Sequence, residues 1–110
     1  MLNFLKLSYN DFSGKILDSF FNLTQLTDLD LSNNRFDGLI SSSLGNLNML
    51  LSLRLSFNNF SGKIPNGFAN LTQLLWLDLS NNKFDGQIPS SFGNLNMLDS
   101  LRLSFNNFFW

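Results

Sequence analysis

The chain has 110 residues, with 7 basic and 8 acidic side chains and a formal net charge of −1. It contains no Cys and no His, so disulfides, thiol nucleophiles and the commonest general base and metal ligand are absent. The balanced charge offers no basic field for nucleic acid or an anionic membrane, and 44 % hydrophobic content with 14 % charge is too apolar for disorder.

Residue usage is narrow: 24 Leu, 17 Asn, 15 Ser and 13 Phe stand beside one Ala, no Val and no Glu. Scarce Ala and absent Glu argue against a helical bundle, and absent Val against an ordinary β-sandwich. The longest apolar runs, such as Leu74-Leu75-Trp76-Leu77, fall far short of the roughly 20 residues that span a bilayer. No membrane contact by this segment is expected.

The first element is Leu5-Lys6-Leu7-Ser8-Tyr9-Asn10, an apolar/polar alternation that predicts a short half-buried strand. It returns at a fixed interval, as Leu29-Asp30-Leu31-Ser32-Asn33-Asn34, Leu53-Arg54-Leu55-Ser56-Phe57-Asn58, Leu77-Asp78-Leu79-Ser80-Asn81-Asn82 and Leu101-Arg102-Leu103-Ser104-Phe105-Asn106. A stronger copy sits two intervals away: Leu29 to Phe60 and Leu77 to Phe108 differ at few positions. After each strand come a Phe, a Gly, an Ile and spaced Leu residues, with Gly- and Ser-rich stretches that turn the chain.

One turn of this length cannot bury its own apolar residues. Stacked turns bury them as columns, namely Phe12/Phe36/Phe60/Phe84/Phe108, Ile16/Ile40/Ile64/Ile88 and Leu23/Leu47/Leu71/Leu95. Equivalent strands then lie side by side in parallel, about 4.8 Å apart. One column is polar: Asn10, Asn34, Asn58, Asn82 and Asn106. Asn has two donors and an acceptor, so these side chains are expected to bond one another and the turning backbone, in a structural role.

The pattern L-x-x-L-x-x-L-x-L-S-x-N-x-F-x-G-x-I-P, cleanest from Leu71 to Pro89, resembles the 24-residue plant-type leucine-rich repeat. The phrases Asn-Leu-Thr-Gln-Leu and Gly-Asn-Leu-Asn-Met-Leu resemble ectodomains of plant receptor-like proteins and receptor-like kinases. The resemblance implies an α/β-type solenoid, a curved right-handed stack with a parallel concave β-sheet and little true helix. It covers residues 1–110 as about four and a half repeats in one domain. Ile16-Leu17 and Ile40-Ser41 lack the usual Pro, which predicts a less defined second-sheet or polyproline-like stretch in the early repeats. The family's Cys-paired caps have no counterpart here, so the chain reads as an uncapped fragment, expected to associate end to end through Phe4–Ser8 and Phe105–Trp110.

Strand positions facing away from the core form the candidate ligand surface. One column is Lys6, Asp30, Arg54, Asp78 and Arg102, alternating in sign between neighbouring strands. It reads either as cross-strand ion pairing or as a polar ligand groove. Beside it run Tyr9, Asn33, Phe57, Asn81 and Phe105, with Trp76 on the other side. Aromatics next to Arg are enriched in binding hot spots, and Phe57, Trp76, Phe105, Arg54 and Arg102 are the preferred patch. The competing reading is stacking that only supports the sheet.

Asn22-Leu23-Thr24, Asn59-Phe60-Ser61 and Asn70-Leu71-Thr72 are glycosylation sequons, with Asn22, Asn59 and Asn70 as acceptors. Asn22 and Asn70 equally suit the capping of a turn. No residue set suggests catalysis, a metal or a cofactor. Asp30 and Asp78 lie about 10 Å apart, two strand spacings, with Arg54 between them, an arrangement that favours two ionised carboxylates over an acid and a base.

The resemblance implies a recognition module of a plant receptor-like protein, on the extracellular face of the plasma membrane or in the cell-wall space. Its partners would be a protein or peptide ligand, or a co-receptor ectodomain, in defence or developmental signalling. Alternatives are an inhibitor resembling polygalacturonase-inhibiting proteins, an ice-binding solenoid, and a non-functional truncated gene fragment.

Overall fold

The computed structural model describes residues 1–109, so Trp110, the last residue of the expected terminal segment, lies outside the described residues. Each L-x-L-S segment forms a three-residue strand: β1 (Phe4–Lys6), β3 (Asp28–Asp30), β5 (Ser52–Arg54), β7 (Trp76–Asp78) and β9 (Ser100–Arg102). These five make one parallel sheet in the order β1-β3-β5-β7-β9. Each residue pairs with its equivalent in the next repeat, so Leu5, Leu29, Leu53, Leu77 and Leu101 stand in one row.

The intervening strands β2 (Ser13–Gly14), β4 (Arg35–Leu39), β6 (Asn59–Gly62) and β8 (Lys83–Phe84) form a second parallel sheet. Here the pairing falls short of a full repeat, so that Gly38 meets Phe60 rather than Gly62, and Gly62 meets Phe84 rather than Gly86. Equivalent residues are therefore displaced along the strands. The Phe column beside this sheet records the spacing that results, with successive ring centroids 6.1, 6.1, 6.2 and 6.4 Å apart. The first sheet advances only about 4.8 Å per repeat. The open hollow over the first sheet marks it as the concave face of the stack.

A single 3-10 turn follows in each repeat, at Asp18–Asn22, Ser42–Asn46, Asn66–Asn70 and Ser90–Asn94. No α-helix occurs among the described residues. Segments made of Ser, Asn, Gly and Phe have poor helix propensity and room for one turn only. The i→i+3 bonds are made, for example from the Leu47 N–H to the Leu44 carbonyl at 3.0 Å.

The missing prolines do not leave the early repeats less defined, contrary to expectation. Leu17 and Ser41 precede their 3-10 turns with φ of −73° and −70°, against −71° and −61° for Pro65 and Pro89. The proline position lies past the second sheet and starts the turn, so its absence does not loosen the sheet. The longest strand of that sheet, Arg35–Leu39, belongs to a repeat without Pro. Ser41 supplies another device, because its Oγ accepts from the Ser43 N–H at 3.1 Å.

Between the sheets lies a continuous apolar interior. Leu29, Leu31, Leu47, Leu53, Leu71, Leu79, Phe60 and Phe84 are fully buried, each stabilising the fold by roughly 1.5–3 kcal/mol relative to exposure. The Asn column closes the wall where the concave strands end. Asn58 Nδ2 donates to the Leu55 and Ser56 carbonyls in its own repeat and to the Leu31 carbonyl of the previous one, at 2.9–3.2 Å. Its Oδ1 accepts from the Phe36 N–H at 3.0 Å. Asn34, Asn82 and Asn106 repeat the arrangement. Asn10 bonds only within its own turn, to the Leu7 and Ser8 carbonyls. The expected Asn–Asn bonds do not form among the described residues. Every partner is backbone, because the turn exposes enough carbonyls and amides to use the whole amide group.

Candidate functional site

Because Leu5, Leu29, Leu53, Leu77 and Leu101 lie in register and their equivalents in the interior repeats are buried, the strand residues on either side of them face out of the concave sheet. An open groove of about 530 Å³ runs across these strands. Of the expected ligand residues it brings together Tyr9, Asp30, Arg54, Phe57, Trp76, Asp78 and Arg102. Lys6 and Phe105 are not in its lining. The Lys6 ammonium lies 3.9 Å from Asp28, and Phe105 borders a smaller hollow with Ile88 and Phe108.

The cross-strand pairing expected of the charged column is not found. Among the described residues the only ion pair is Lys6–Asp28, and it is solvent-exposed on the lysine side. Asp30 Oδ1 instead accepts from the Ser32 N–H at 3.0 Å and the Ser32 hydroxyl at 2.6 Å. Asp78 does the same with Ser80, at 3.0 and 2.6 Å. A short carboxylate reaches its own strand two residues on more readily than a guanidinium on the next strand. Arg54 and Arg102 are exposed and hold no acidic partner among the described residues. The two carboxylates are each occupied by a serine, which gives them no acid/base partnership.

Tyr9, Asn33, Phe57, Asn81 and Phe105 share a left-handed backbone conformation, with φ between 56° and 59°. Asn visits this region readily, because its short amide interacts with the local backbone. A bulky aromatic there is unusual and strained. The strain goes with exposure, since Tyr9, Phe57 and Phe105 are 80 %, 53 % and 77 % exposed. Sequence reasoning missed this feature, although Ser-Asn-Asn at two of the five copies was a signal for it.

The serines of the groove were passed over as well. Ser32, Ser56 and Ser100 line it, and Ser52, in register with Asp28 and Trp76, has a buried Oγ without a hydrogen-bond partner. The sequon residues lie elsewhere. Asn22 and Asn70 each end a 3-10 turn and Asn59 opens β6, all three exposed and none lining the groove. No helix among the described residues is long and apolar enough to cross a membrane.

The leucine rich repeat family is matched by residues 50–108, and by residues 1–23 and 25–47. No curated protein matches the chain. Among solved structures, the chain is 37 % identical to the plant peptide hormone receptor RGFR1 in complex with RGF2, with a TM-score of 0.94 over 97 % of this chain and 17 % of that one. The receptor kinase HAESA of Arabidopsis, in complex with the peptide hormone IDA and the co-receptor SERK1, gives 37 %, 0.93, 97 % and 18 %. The BIR3–SERK2 complex from Arabidopsis thaliana gives 36 %, 0.90, 94 % and 56 %. The chain thus spans under a fifth of the two receptors and about half of the chain matched in the BIR3–SERK2 complex.

Proposed function

Since the chain belongs to the leucine-rich-repeat family, in the 24-residue form of plant receptor ectodomains, we propose that its concave face binds a peptide or protein ligand, or a co-receptor ectodomain. The parent is a receptor-like protein, with this segment on the extracellular face of the plasma membrane or in the cell-wall space. It acts in defence or developmental signalling, by binding and not by catalysis.

One observation carries this reading. Arg54 and Arg102, free of acidic partners among the described residues, share a groove with the exposed rings of Phe57 and Trp76. Cations and aromatics held open on a rigid sheet are the residue types that dominate binding energies. Arg54, Trp76 and Arg102 stand on strands, so little backbone ordering is lost on association. The exposed sequons at Asn22, Asn59 and Asn70 fit glycans placed away from the groove.

Selection from a displayed library of random peptides tests the reading. Retained peptides should lose at least tenfold in affinity for the Arg54→Gln, Phe57→Ala and Trp76→Ala variants, with unchanged circular dichroism. Peptides that ignore all three substitutions would place binding elsewhere.

A further inference from the structure

The concave face is built in two alternating kinds of row. The rows of β3 and β7 present Asp30 with Asn33 and Asp78 with Asn81, each Asp held by its own serine and each Asn at ease in its left-handed turn. The rows of β5 and β9 present Arg54 with Phe57 and Arg102 with Phe105, the cation unpaired among the described residues and the aromatic strained. The first kind is internally satisfied; the second is left open. Tyr9 continues the aromatic series two strands earlier.

The open rows are two strands apart, which is about 9.6 Å at the usual strand spacing. A ligand crossing the strands must repeat its contacts at that distance. An extended strand returns to the same face every two residues, about 6.7 Å, and misses the rows. An α-helix returns after seven residues, about 10.5 Å, and drifts by nearly an ångström per step. A polyproline II helix has three residues per turn and a rise of about 3.1 Å, so one face repeats every 9.3 Å or so. Of the three, this last ligand comes nearest the row spacing.

We propose that the groove takes a proline-rich acidic peptide in the polyproline II conformation, with an acidic residue at every third position. The proposal rests on the concave face being the binding surface and specifies its ligand. In a three-residue turn one edge carries the carboxylate to Arg54 or Arg102. A second edge lays a proline ring on Phe57 inside the groove, or on Phe105 just beyond its lining, and the third faces solvent. Aromatic surfaces suit proline, whose preset backbone loses little entropy on binding. The Asp30 and Asp78 rows act against other spacings, because a carboxylate one strand out of register meets a like charge. The strained aromatics also gain a purpose. Asn at position 57 or 105 would relieve the backbone but remove the proline platform.

The test uses two synthetic nonapeptides of identical composition and charge, one with three Glu-Pro-Pro units and one with three consecutive Glu followed by six Pro. Titration calorimetry with the 110-residue chain should give at least tenfold tighter binding to the periodic peptide. Phe57→Asn with Phe105→Asn should weaken that binding at least tenfold while raising the melting temperature, a combination that lost folding cannot produce. Asp30→Asn with Asp78→Asn should tighten the blocked peptide and narrow the preference. Equal binding of both peptides, lost in Arg54→Gln with Arg102→Gln, would overturn the three-residue spacing but leave the concave face as the site. Binding of neither peptide would overturn the ligand assignment. The library selection above then judges the surface by itself.

Discussion

Asn58 and Phe57 are neighbours in the chain and work on opposite sides of the wall. Asn58 is buried and spends every donor and acceptor of its amide on backbone, two of them in the preceding repeat. Phe57 is more than half exposed and sits in a backbone conformation that its side chain disfavours. The same contrast holds for Asn82 against Asn81, except that Asn at 81 suits the left-handed turn. Interior side chains such as Asn58 are therefore coupled from repeat to repeat, whereas the Phe57 side chain is not, although its backbone is. Stability should reside in the former, and variation on the face should cost little.

The interior gives the largest expected effect. Phe60 is fully buried between Phe36 and Phe84, so Phe60→Ala should cost about 3–5 kcal/mol in urea unfolding. Phe12→Ala, in the same column but nearly half exposed, should cost less than half as much. Equal losses would mean that the column does not act as a shared core. Next comes Asn58→Ala, which leaves the Phe36 N–H unpaired and takes one donor from each of three carbonyls, and should cost about 1–3 kcal/mol. Asn10→Ala, without the cross-repeat bonds, should cost less. Exposed Asn59→Ala should stay within about 0.5 kcal/mol.

Those interior positions were largely legible in the order of residues, because a 24-residue period forces equivalent residues into columns. Leu29, Phe60 and Asn58 follow from that repetition alone. The second sheet was less legible: a strict period implies that equivalent residues pair, but Ser13 pairs with Arg35, Asp37 with Asn59 and Ser61 with Lys83. That offset accompanies left-handed backbone at Gly38 and Gly62, with φ of 79°, and the repeat length alone does not state it. At the candidate site, the charged and aromatic positions could be read, but their partners could not. Opposite charges on adjacent strands suggested pairing, whereas Asp30 and Asp78 reach Ser32 and Ser80. The Asp-Leu-Ser spacing held that information, masked by the more obvious alternation of sign.

A smaller effect sharpens the difference between the two kinds of concave row. Asn81 has φ of 57° and no side-chain hydrogen bond among the described residues. Asn81→Phe should destabilise the chain by about 1–2 kcal/mol, the usual cost of a side chain poorly suited to left-handed backbone. Chemical denaturation of that variant is the measurement. An unchanged midpoint would show that the turn itself, not the residue, absorbs the strain, and Phe57 would no longer mark an open row.

The smallest effect belongs to Asp78, and it separates hydrogen bonding from charge. In Asp78→Asn an amide oxygen can still accept from the Ser80 N–H and hydroxyl, which lie 3.0 and 2.6 Å from the carboxylate. The bonds weaken because their acceptor is no longer ionised, but none is removed. A loss of about 0.5–1 kcal/mol is expected, set against about 1–2 kcal/mol for Asp78→Ala, which leaves a buried serine unpaired. Exposed Asp85→Asn, whose carboxylate has no such partner among the described residues, should change stability by less than about 0.5 kcal/mol. If Asp78→Asn instead destabilised as strongly as Asp78→Ala, charge would be holding the strand, and pairing with Arg54 or Arg102 in solution would be the natural cause. The open rows would then be closed in the free protein, and the two kinds of row would differ only in sign.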